Sequence, residues 1–315
     1  MKKVIKKITK AFACFLAGLF IFLFIAWGGL NIFKFAIYGE YYKLESTLCD
    51  NPGLNDGFVC QGICAADEYD KILVSGYMKD HSASRIYVTD LESNSTYVTL
   101  NFRGEPFKGH LGGICVYDNV VYIASESQVH QIPLTTILSA KKGEAVEILF
   151  SIDVNNQASF AFCDGKFMYV GEFHDGENYI CDHPVETDNG TNYAIVTKYP
   201  YGNFTVPDII ISLPNKVQGF CITPSGQIVL STSYGLKSSY YYVYDESELI
   251  KTDKTIDGAS VYVLGECKNT IKGPAMAEGL DYYDGGVITL TESASNKYLF
   301  GKLFFANDIV KLDIK

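Results

Sequence analysis

The chain has 315 residues, of which 48% are hydrophobic, and a formal net charge of −10. This length and composition exclude a disordered protein and leave room for one large domain or two ordinary domains. The 23 Tyr and 20 Phe residues, against one Trp and four Met, favour many half-buried β-strands.

The N-terminal segment predicts a membrane anchor. Five lysines lie within residues 1–10, and residues 11–33 carry no charge. A helix of that length spans roughly 30 Å of hydrocarbon at about 1.5 Å per residue. We expect residues 1–10 to form a cytoplasmic basic tail and residues 11–38 a single-pass signal-anchor, which places the rest of the chain on the extracytoplasmic side of the cell membrane. A cleaved signal peptide is the alternative, although no clear Ala-x-Ala site follows the apolar run.

The part of the chain after the anchor is acidic. Residues 44–315 contain 19 of the 26 basic residues and 35 of the 36 acidic residues, which gives a net charge of −16. Such a surface repels nucleic acid, so we expect no nucleic-acid partner, and it attracts cations. Eight cysteines lie in this region, and the nearest plausible disulfide joins Cys49 and Cys60.

A motif of two short strands joined by a polar turn recurs five times after residue 57. Its anchor positions, which are 51, 46, 60 and 60 residues apart, are Gly62, Gly113, Ser159, Gly219 and Gly279. These spacings are typical of β-propeller blades, and the segments between the copies supply two more strands for each unit. Four-stranded units with two apolar faces bury those faces by packing radially.

The fold class that we predict is therefore all-β. Residues 58–315 are expected to form a β-propeller with four-stranded antiparallel blades, after a linker at 39–57 and one N-terminal transmembrane helix. Five blades match the repeat count, and six are the alternative. Residues 260–266 are expected as the outer strand of the fourth blade, and residues 296–305 and 308–314 as the outer strands of the fifth. Residues 38–47 are a candidate for an extra strand that closes the ring.

Polar residues at one end of each motif are the candidate site. The first strand of a blade lines the central channel and the second runs antiparallel beside it, so the start of the first and the end of the second share one rim. The starts of the first strands contribute Gln61, His110, Gln218 and Glu278. The ends of the second strands contribute Ser125, Glu126, Glu172, Thr232 and Glu292, with His174 two residues after Glu172.

The sequences EGL at residues 278–280 and QGF at residues 218–220, each followed by a Gly-bearing turn and a second hydrophobic strand, resemble the superfamily of strictosidine synthase, paraoxonase and gluconolactonase propellers. This resemblance implies that Glu or Asn at the start of the innermost strand holds Ca²⁺ in the channel. The matching positions here are Gln61, Gly112, Ala158, Gln218 and Glu278, of which one is a carboxylate.

The oxygen-rich rim leads to a functional hypothesis. We expect the channel mouth to bind a small polar ligand, with Ca²⁺ held by Glu172 and Glu278 together with side-chain carbonyls of Gln61 and Gln218. In an enzymatic version, His110 or His174 is the general base that activates a water to attack an ester or a lactone. The alternative function is a non-catalytic scaffold that binds protein or glycan, and a simpler alternative is that these residues only cap the ends of the blades.

Two further features carry expectations. Residues 171–190 form the longest polar insertion, which is expected to overhang the channel as a lid. Cys64, Cys115 and Cys221 stand at equivalent places in three repeats, where small buried packing residues are expected between neighbouring sheets.

Overall fold

The computed structural model describes residues 2–314, without the side chains of Lys2, Val4 and Ile5. Helix α1 (Lys2–Ile37) is followed by the short helix α2 (Gly39–Leu44) and by strand β1 (Glu45–Asp50). The predicted basic tail forms the first turns of α1, apart from Met1, which lies outside the described residues. By length and composition, residues Lys6–Ile37 are a candidate membrane span.

The rest of the chain forms the predicted five-bladed β-propeller. Blade 1 contains β2 (Phe58–Ala66), β3 (Lys71–Met78), β4 (Arg85–Thr89) and β5 (Ser95–Phe102), with the short β6 (Glu105–Pro106) paired to β5. Blade 2 contains β7 (Gly113–Tyr117), β8 (Val120–Ser125), β9 (Gln128–Pro133) and, after α3 (Leu134–Ser139) and β10 (Ala145–Glu147), β11 (Phe150–Asp153). Strand β10 pairs in parallel with β5 and so extends blade 1.

Blade 3, like blade 1, belongs to a six-stranded sheet. It contains β12 (Phe160–Cys163) and β13 (Phe167–Gly171), then the separate hairpin β14 (Val185–Thr187) and β15 (Gly190–Asn192), then β16 (Ala194–Pro200) and β17 (Ile209–Leu213). Blade 4 contains β18 (Val217–Ile222), β19 (Gln227–Thr232) and β20 (Ser239–Asp245). The hairpin β21 (Ile250–Ile256) and β22 (Ala259–Val263) follows, and β23 (Asn269–Gly273) completes blade 4.

The assignment of residues 260–266 to the outer strand of blade 4 is wrong. Strand β22 pairs in parallel with β17, so these residues extend blade 3, and β23 takes the outer position of blade 4. The side chains of Val261 and Ala259 are buried with Ile195 and Ile210 of blade 3. Burial of this apolar face explains why β22 pairs with blade 3 rather than blade 4. The local sequence pattern does not distinguish between the edges of these two neighbouring sheets.

Blade 5 is completed by both ends of the chain. It contains β24 (Ala277–Tyr283), β25 (Gly286–Thr291) and β26 (Asp308–Leu312), and β1 supplies the fourth strand by antiparallel pairing with β26. Residues 45–50 therefore lie inside the propeller rather than in a linker, and they close the ring as the candidate strand at 38–47 suggested. Residues 296–305 form no strand; they carry a short 3-10 helix at Gly301–Phe304.

The recurring glycine of the motif has a packing cause. A Cβ added to Gly113 would lie 2.1 Å from the backbone nitrogen of Ala161 in the next blade. A Cβ added to Gly279 would lie 2.9 Å from the backbone nitrogen of Ile63. The inner strands of neighbouring blades approach so closely in this narrow ring that a side chain at these positions would separate them.

Helices α1 and α2 contact the propeller at the face where the inner strands begin. Tyr38 and Ser238 lie within 3.4 Å through their hydroxyl groups, and the ring of Tyr41 stacks on Tyr241 with centroids 5.9 Å apart. Ser238 precedes β20 and therefore lies on the same rim as the end of β19. Helix α1 thus leaves the propeller from the face that carries the channel mouth.

Candidate functional site

A cavity of about 570 Å³ lies at this mouth, and all five blades contribute to its wall. Seven residues expected at the rim line it together: Gln61, His110, Ser125, Glu126, Gln218, Glu278 and Glu292. They lie there because the start of each inner strand and the end of its neighbour meet at one rim, as the repeat pattern predicted.

Pairing register decides which residues at the ends of the second strands reach the cavity. The second-strand residues that face the motif anchors are Ser75, Ala124 and Ser231, and Leu290 lies opposite a bulge in blade 5. Two residues further along, on the same face of each strand, the cavity is lined by Tyr77, Glu126, Ser233 and Glu292. Tyr77 and Ser233 were missed from sequence, because strand ends alone do not give this register.

The structure places Glu172 away from the cavity wall. Phe160 pairs with Gly171, so Glu172 lies opposite the anchor Ser159 itself, two residues deeper than Glu292 lies in blade 5. Its side chain is only 1% exposed. It accepts hydrogen bonds from His183 Nδ1 at 2.7 Å and from the backbone N–H of Ile195 at 3.2 Å.

His174 and Thr232 also lie outside the described lining of the cavity. His174 stands at the position equivalent to Glu292, but its Nδ1 accepts a 2.9 Å hydrogen bond from the backbone N–H of Cys181, and its ring stacks on Tyr193. Thr232 Oγ1 donates a hydrogen bond to the carbonyl oxygen of Tyr240 at 3.2 Å. These contacts give both residues structural partners inside blades 3 and 4.

A chain of hydrogen bonds joins three blades along the cavity wall. His110 Nε2 and Gln61 Oε1 lie 2.6 Å apart, and Gln61 Nε2 donates a 2.9 Å hydrogen bond to Glu292 Oε2. This arrangement puts the proton of the imidazole on Nε2, because the amide oxygen of Gln61 can only accept. Burial lowers the pKa of His110 to about 4, with a smaller effect from Lys297, so the imidazole is neutral at pH 7.

Two buried carboxyl groups of blade 5 line the cavity and interact electrostatically. Burial, reinforced by repulsion from Glu292, raises the pKa of Glu278 well above its ordinary value. Burial likewise raises the pKa of Glu292 to about 7, against the opposing effects of a hydrogen bond with Tyr298 and of the Lys297 ammonium group. In the described part of the chain, no Lys or Arg nitrogen lies within 4.0 Å of either carboxylate.

Five aromatic side chains, one from strand β3 and four from loops, complete the wall. They are Tyr77, Phe173, Tyr179, Tyr234 and Tyr298. Lys297 Nζ donates a hydrogen bond to the hydroxyl group of Tyr77 and lies 4.6 Å from the centroid of that ring. Loops connecting the second and third strands supply four of the five rings, and the sequence carried no repeated signal for them.

The polar insertion at 171–190 contributes two of these aromatic residues. Phe173 and Tyr179 line the cavity, with ring centroids 5.4 Å apart. The carboxylate of Asp175 accepts hydrogen bonds from the backbone N–H groups of residues 177, 178 and 179, which fixes the turn between the two rings. The segment therefore forms an ordered part of the rim.

The donor set fits a resident Ca²⁺ poorly. Glu172 and Glu278 do not share the cavity, and no group of three His, Cys, Asp or Glu residues with metal-binding geometry occurs among residues 2–314 as described. The amide oxygen of Gln61 already accepts from His110. A calcium ion takes 6–8 oxygen ligands, and of the two carboxylates expected to hold it only Glu278 lines this wall.

The cysteines of the propeller are thiols in the structure. Cys49 and Cys60 are both free, and the Cys60 thiol donates to the carbonyl oxygen of Thr291 at 3.4 Å, so the expected disulfide is not formed. Cys64, Cys115 and Cys221 are buried in three hydrophobic clusters. Burial raises the pKa of all three thiols, which keeps them protonated and unreactive.

No family model and no curated protein sequence matches the chain. Matching solved structures include a hydrazine synthase from Kuenenia stuttgartiensis, at 11% identity over 74% of this chain with a TM-score of 0.39. This chain spans 55% of the length of that protein.

Two other matches cover a larger share of the matched protein. One is the PQQ-bound aldose sugar dehydrogenase of Streptomyces coelicolor, at 10% identity over 84% of this chain and 95% of that chain, with a TM-score of 0.41. The other is BamB from Moraxella catarrhalis, at 7% identity over 81% of this chain and 83% of that chain, with a TM-score of 0.35. Membership of the strictosidine synthase, paraoxonase and gluconolactonase superfamily stays a prediction, and the architecture established for this chain is the five-bladed propeller with an apolar N-terminal helix.

Proposed function

We propose that this protein is a membrane-anchored, extracytoplasmic propeller that binds a small organic amine in the cavity at its channel mouth. The observation that carries the proposal is the pair Glu278 and Glu292, two buried carboxyl groups on the cavity wall without an ion-pair partner in the described chain. Burial raises the pKa values of both groups because a carboxylate buried in the wall has no counter-charge, and a bound cation would supply that charge as the proton leaves.

The remainder of the wall suits the same chemistry. The faces of tyrosine rings attract ammonium groups by cation–π interaction, and four tyrosines line the same cavity as the carboxyl pair. The acidic surface of residues 44–315, with its net charge of −16, raises the local concentration of cations. The neutral side chains of His110 and Gln218 line the same cavity and can form hydrogen bonds with a polar ligand.

Binding is favoured over hydrolysis by the state of His110. A general base works best with a pKa near the operating pH, whereas burial lowers the pKa of His110 to about 4. Hydrolysis of a generic aryl ester that is abolished in His110→Ala would establish the enzymatic version predicted from sequence. A propeller that binds protein or glycan through another surface would show no ligand response at this cavity.

The test is a thermal-shift series on the full chain in detergent, with ethanolamine and choline as amines and with glucose and acetate as neutral and anionic probes. An amine present at about ten times its Kd should raise Tm by a few degrees. The shift should disappear in Glu278→Gln and persist in Glu92→Gln, a matched change of an exposed carboxylate outside the cavity. Stabilisation by glucose alone, or an amine shift that survives Glu278→Gln, would overturn the proposal.

A further inference from the structure

We propose that one side of the mouth face lies against the phospholipid bilayer that α1 spans, with its apolar side chains in the interface and its lysines at lipid phosphate groups. This side, the basic rim, consists of residues 214–216, 233–238, 272–276 and 293–307 of blades 4 and 5. The inference concerns the surface around the cavity and does not depend on the ligand bound inside it.

Large apolar side chains project from the basic rim. Leu299 is 79% exposed and Phe300 is 66% exposed, and both lie in the loop between β25 and β26. Leu236, between β19 and β20, and Leu303 are each 49% exposed. Apolar side chains grouped on one rim in this way mark an interaction surface rather than scattered exposure.

The charge of the basic rim is opposite to that of the propeller as a whole. Residues 44–315 carry a net charge of −16, yet the four segments of the rim contain no Asp or Glu. Their lysines are Lys216, Lys237, Lys272, Lys297 and Lys302. Lysines next to exposed Leu and Phe are the composition of segments that lie in the interface of a membrane with phosphate headgroups.

The helix itself fixes the identity of the partner. The ring of Trp27 contacts that of Phe305, with centroids 6.1 Å apart, and Lys34 Nζ lies 5.7 Å from the same Phe305 ring. Trp27 belongs to the charge-free run of α1, about 15 Å along the helix axis from Ile37 at about 1.5 Å per residue. The loop that carries Leu299 and Phe300 therefore lies beside the C-terminal end of the charge-free run of α1.

This contact favours a bilayer over a second copy of the chain. Lipid already surrounds the exposed side chains of α1 once the helix is inserted, and the basic rim is continuous with that helix through Phe305. An aromatic ring and a lysine at the end of a span are typical of the membrane–water interface, which places Trp27 and Lys34 near that boundary. The cavity mouth, which includes Lys297 of the basic rim, then opens next to the lipid surface.

The test uses the full chain reconstituted in phosphatidylglycerol and phosphatidylcholine vesicles whose acyl chains carry bromine near the headgroup. Trp27→Phe removes the single native Trp, and Phe300→Trp then reports on the basic rim. The matched control is Phe150→Trp, since Phe150 is 64% exposed on the outer strand of blade 2. We expect bromine to quench the indole introduced at position 300 at least threefold more than the indole introduced at position 150.

The lysines are tested in the same vesicles. Lys237→Gln with Lys302→Gln in the Phe300→Trp chain should reduce quenching in phosphatidylglycerol more than in phosphatidylcholine. Equal quenching at positions 150 and 300 would overturn the bilayer contact, as would a chain that dimerises in nanodiscs and protects position 300 from bromine. If quenching at position 300 is the same with and without the lysine substitutions, and the same in phosphatidylglycerol and phosphatidylcholine, the role of the phosphate groups is overturned.

Discussion

Nε2 of His110 in blade 2 lies 2.6 Å from Oε1 of Gln61 in blade 1, and Nε2 of Gln61 donates a hydrogen bond to Glu292 of blade 5. One amide side chain thus satisfies a donor and an acceptor that come from two other blades. Replacing it removes both partners at once.

We expect Gln61→Leu to lower the free energy of unfolding by about 1–3 kcal/mol, because a buried imidazole N–H and a buried carboxyl group lose a hydrogen bond. Gln218→Leu is the matched control, since Gln218 also lines the cavity at the equivalent place in blade 4. Chemical denaturation of the full chain in detergent measures both. An equal loss of stability in the two variants would contradict a specific role for the chain of hydrogen bonds.

The carboxyl pair predicts how stability depends on pH. The pKa of Glu292 rises from an ordinary value of 4.5 to about 7 on folding, so the folded state holds the proton more tightly than the unfolded state. The resulting stabilisation is complete below about pH 4.5 and is lost as the pH rises through about 7. We expect Tm to fall by a few degrees between pH 5 and pH 8 on this account.

In Glu292→Gln that fall should be smaller than in the wild type, because the amide carries no titrating proton. The exposed Glu92→Gln serves as the control for the substitution chemistry. Differential scanning fluorimetry at a series of pH values measures the slope. A slope that stays the same in Glu292→Gln would show that other groups cause the pH dependence.

Glu172 should matter for stability. Its buried carboxylate accepts from His183 and from the backbone N–H of Ile195, so Glu172→Ala leaves these donors without their acceptor and should cost about 3–5 kcal/mol. Glu186→Ala, an exposed acid of the same insertion, should change the free energy of unfolding by less than about 0.5 kcal/mol. Similar values for the two variants would argue against this role.

Calcium gives a direct test of the metal prediction made from sequence. Because Glu172 lies away from the cavity and Gln61 is already engaged, we expect 1 mM Ca²⁺ and excess EDTA to give Tm values within about 1 °C of each other. A calcium-dependent rise of several degrees that disappears in Glu278→Gln would instead support the ion. Magnesium at the same concentration controls for ionic strength.

Closure of the ring through β1 and β26 should be needed for stability. Ile309 on β26 is fully buried, so Ile309→Ala should lower the free energy of unfolding by about 2–5 kcal/mol. Leu91→Ala removes a comparable apolar group from an exposed loop and should have little effect. Denaturant titration followed by circular dichroism distinguishes them, and an equally mild effect of both changes would show that blade 5 tolerates an open edge.

The sequence was informative wherever the relevant contacts lie within one repeat. The hairpin β24–β25 and its four counterparts carry their own turns and alternating strands, so the blade number and the rim positions Glu126 and Glu292 could be predicted. Residues 260–266 could not be placed correctly, because their choice between two sheet edges depends on contacts with Ile195 and Ile210, some 50 to 70 residues away in sequence.

The candidate site was predicted in part for the same reason. Gln61, Glu278 and His110 belong to starts of inner strands, which the repeat aligned. Glu172 shares its place in the sequence pattern with Glu292, but the pairing of Phe160 with Gly171 sets it two residues deeper. Tyr298 and Lys297 come from a loop without a counterpart in the other repeats, so no periodic signal could reveal them.

The pairing of β1 with β26 also sets an order of events during synthesis. Strand β1 leaves the ribosome before the strands of the other four blades, and its partner β26 is made more than 250 residues later. Until β26 is made, the edge of β1 that pairs with it has no partner, whereas the strands of the other four blades can already assemble. The ring therefore locks in one late step, and a nascent chain arrested before residue 308 would present two open sheet edges to any chaperone that binds extended segments.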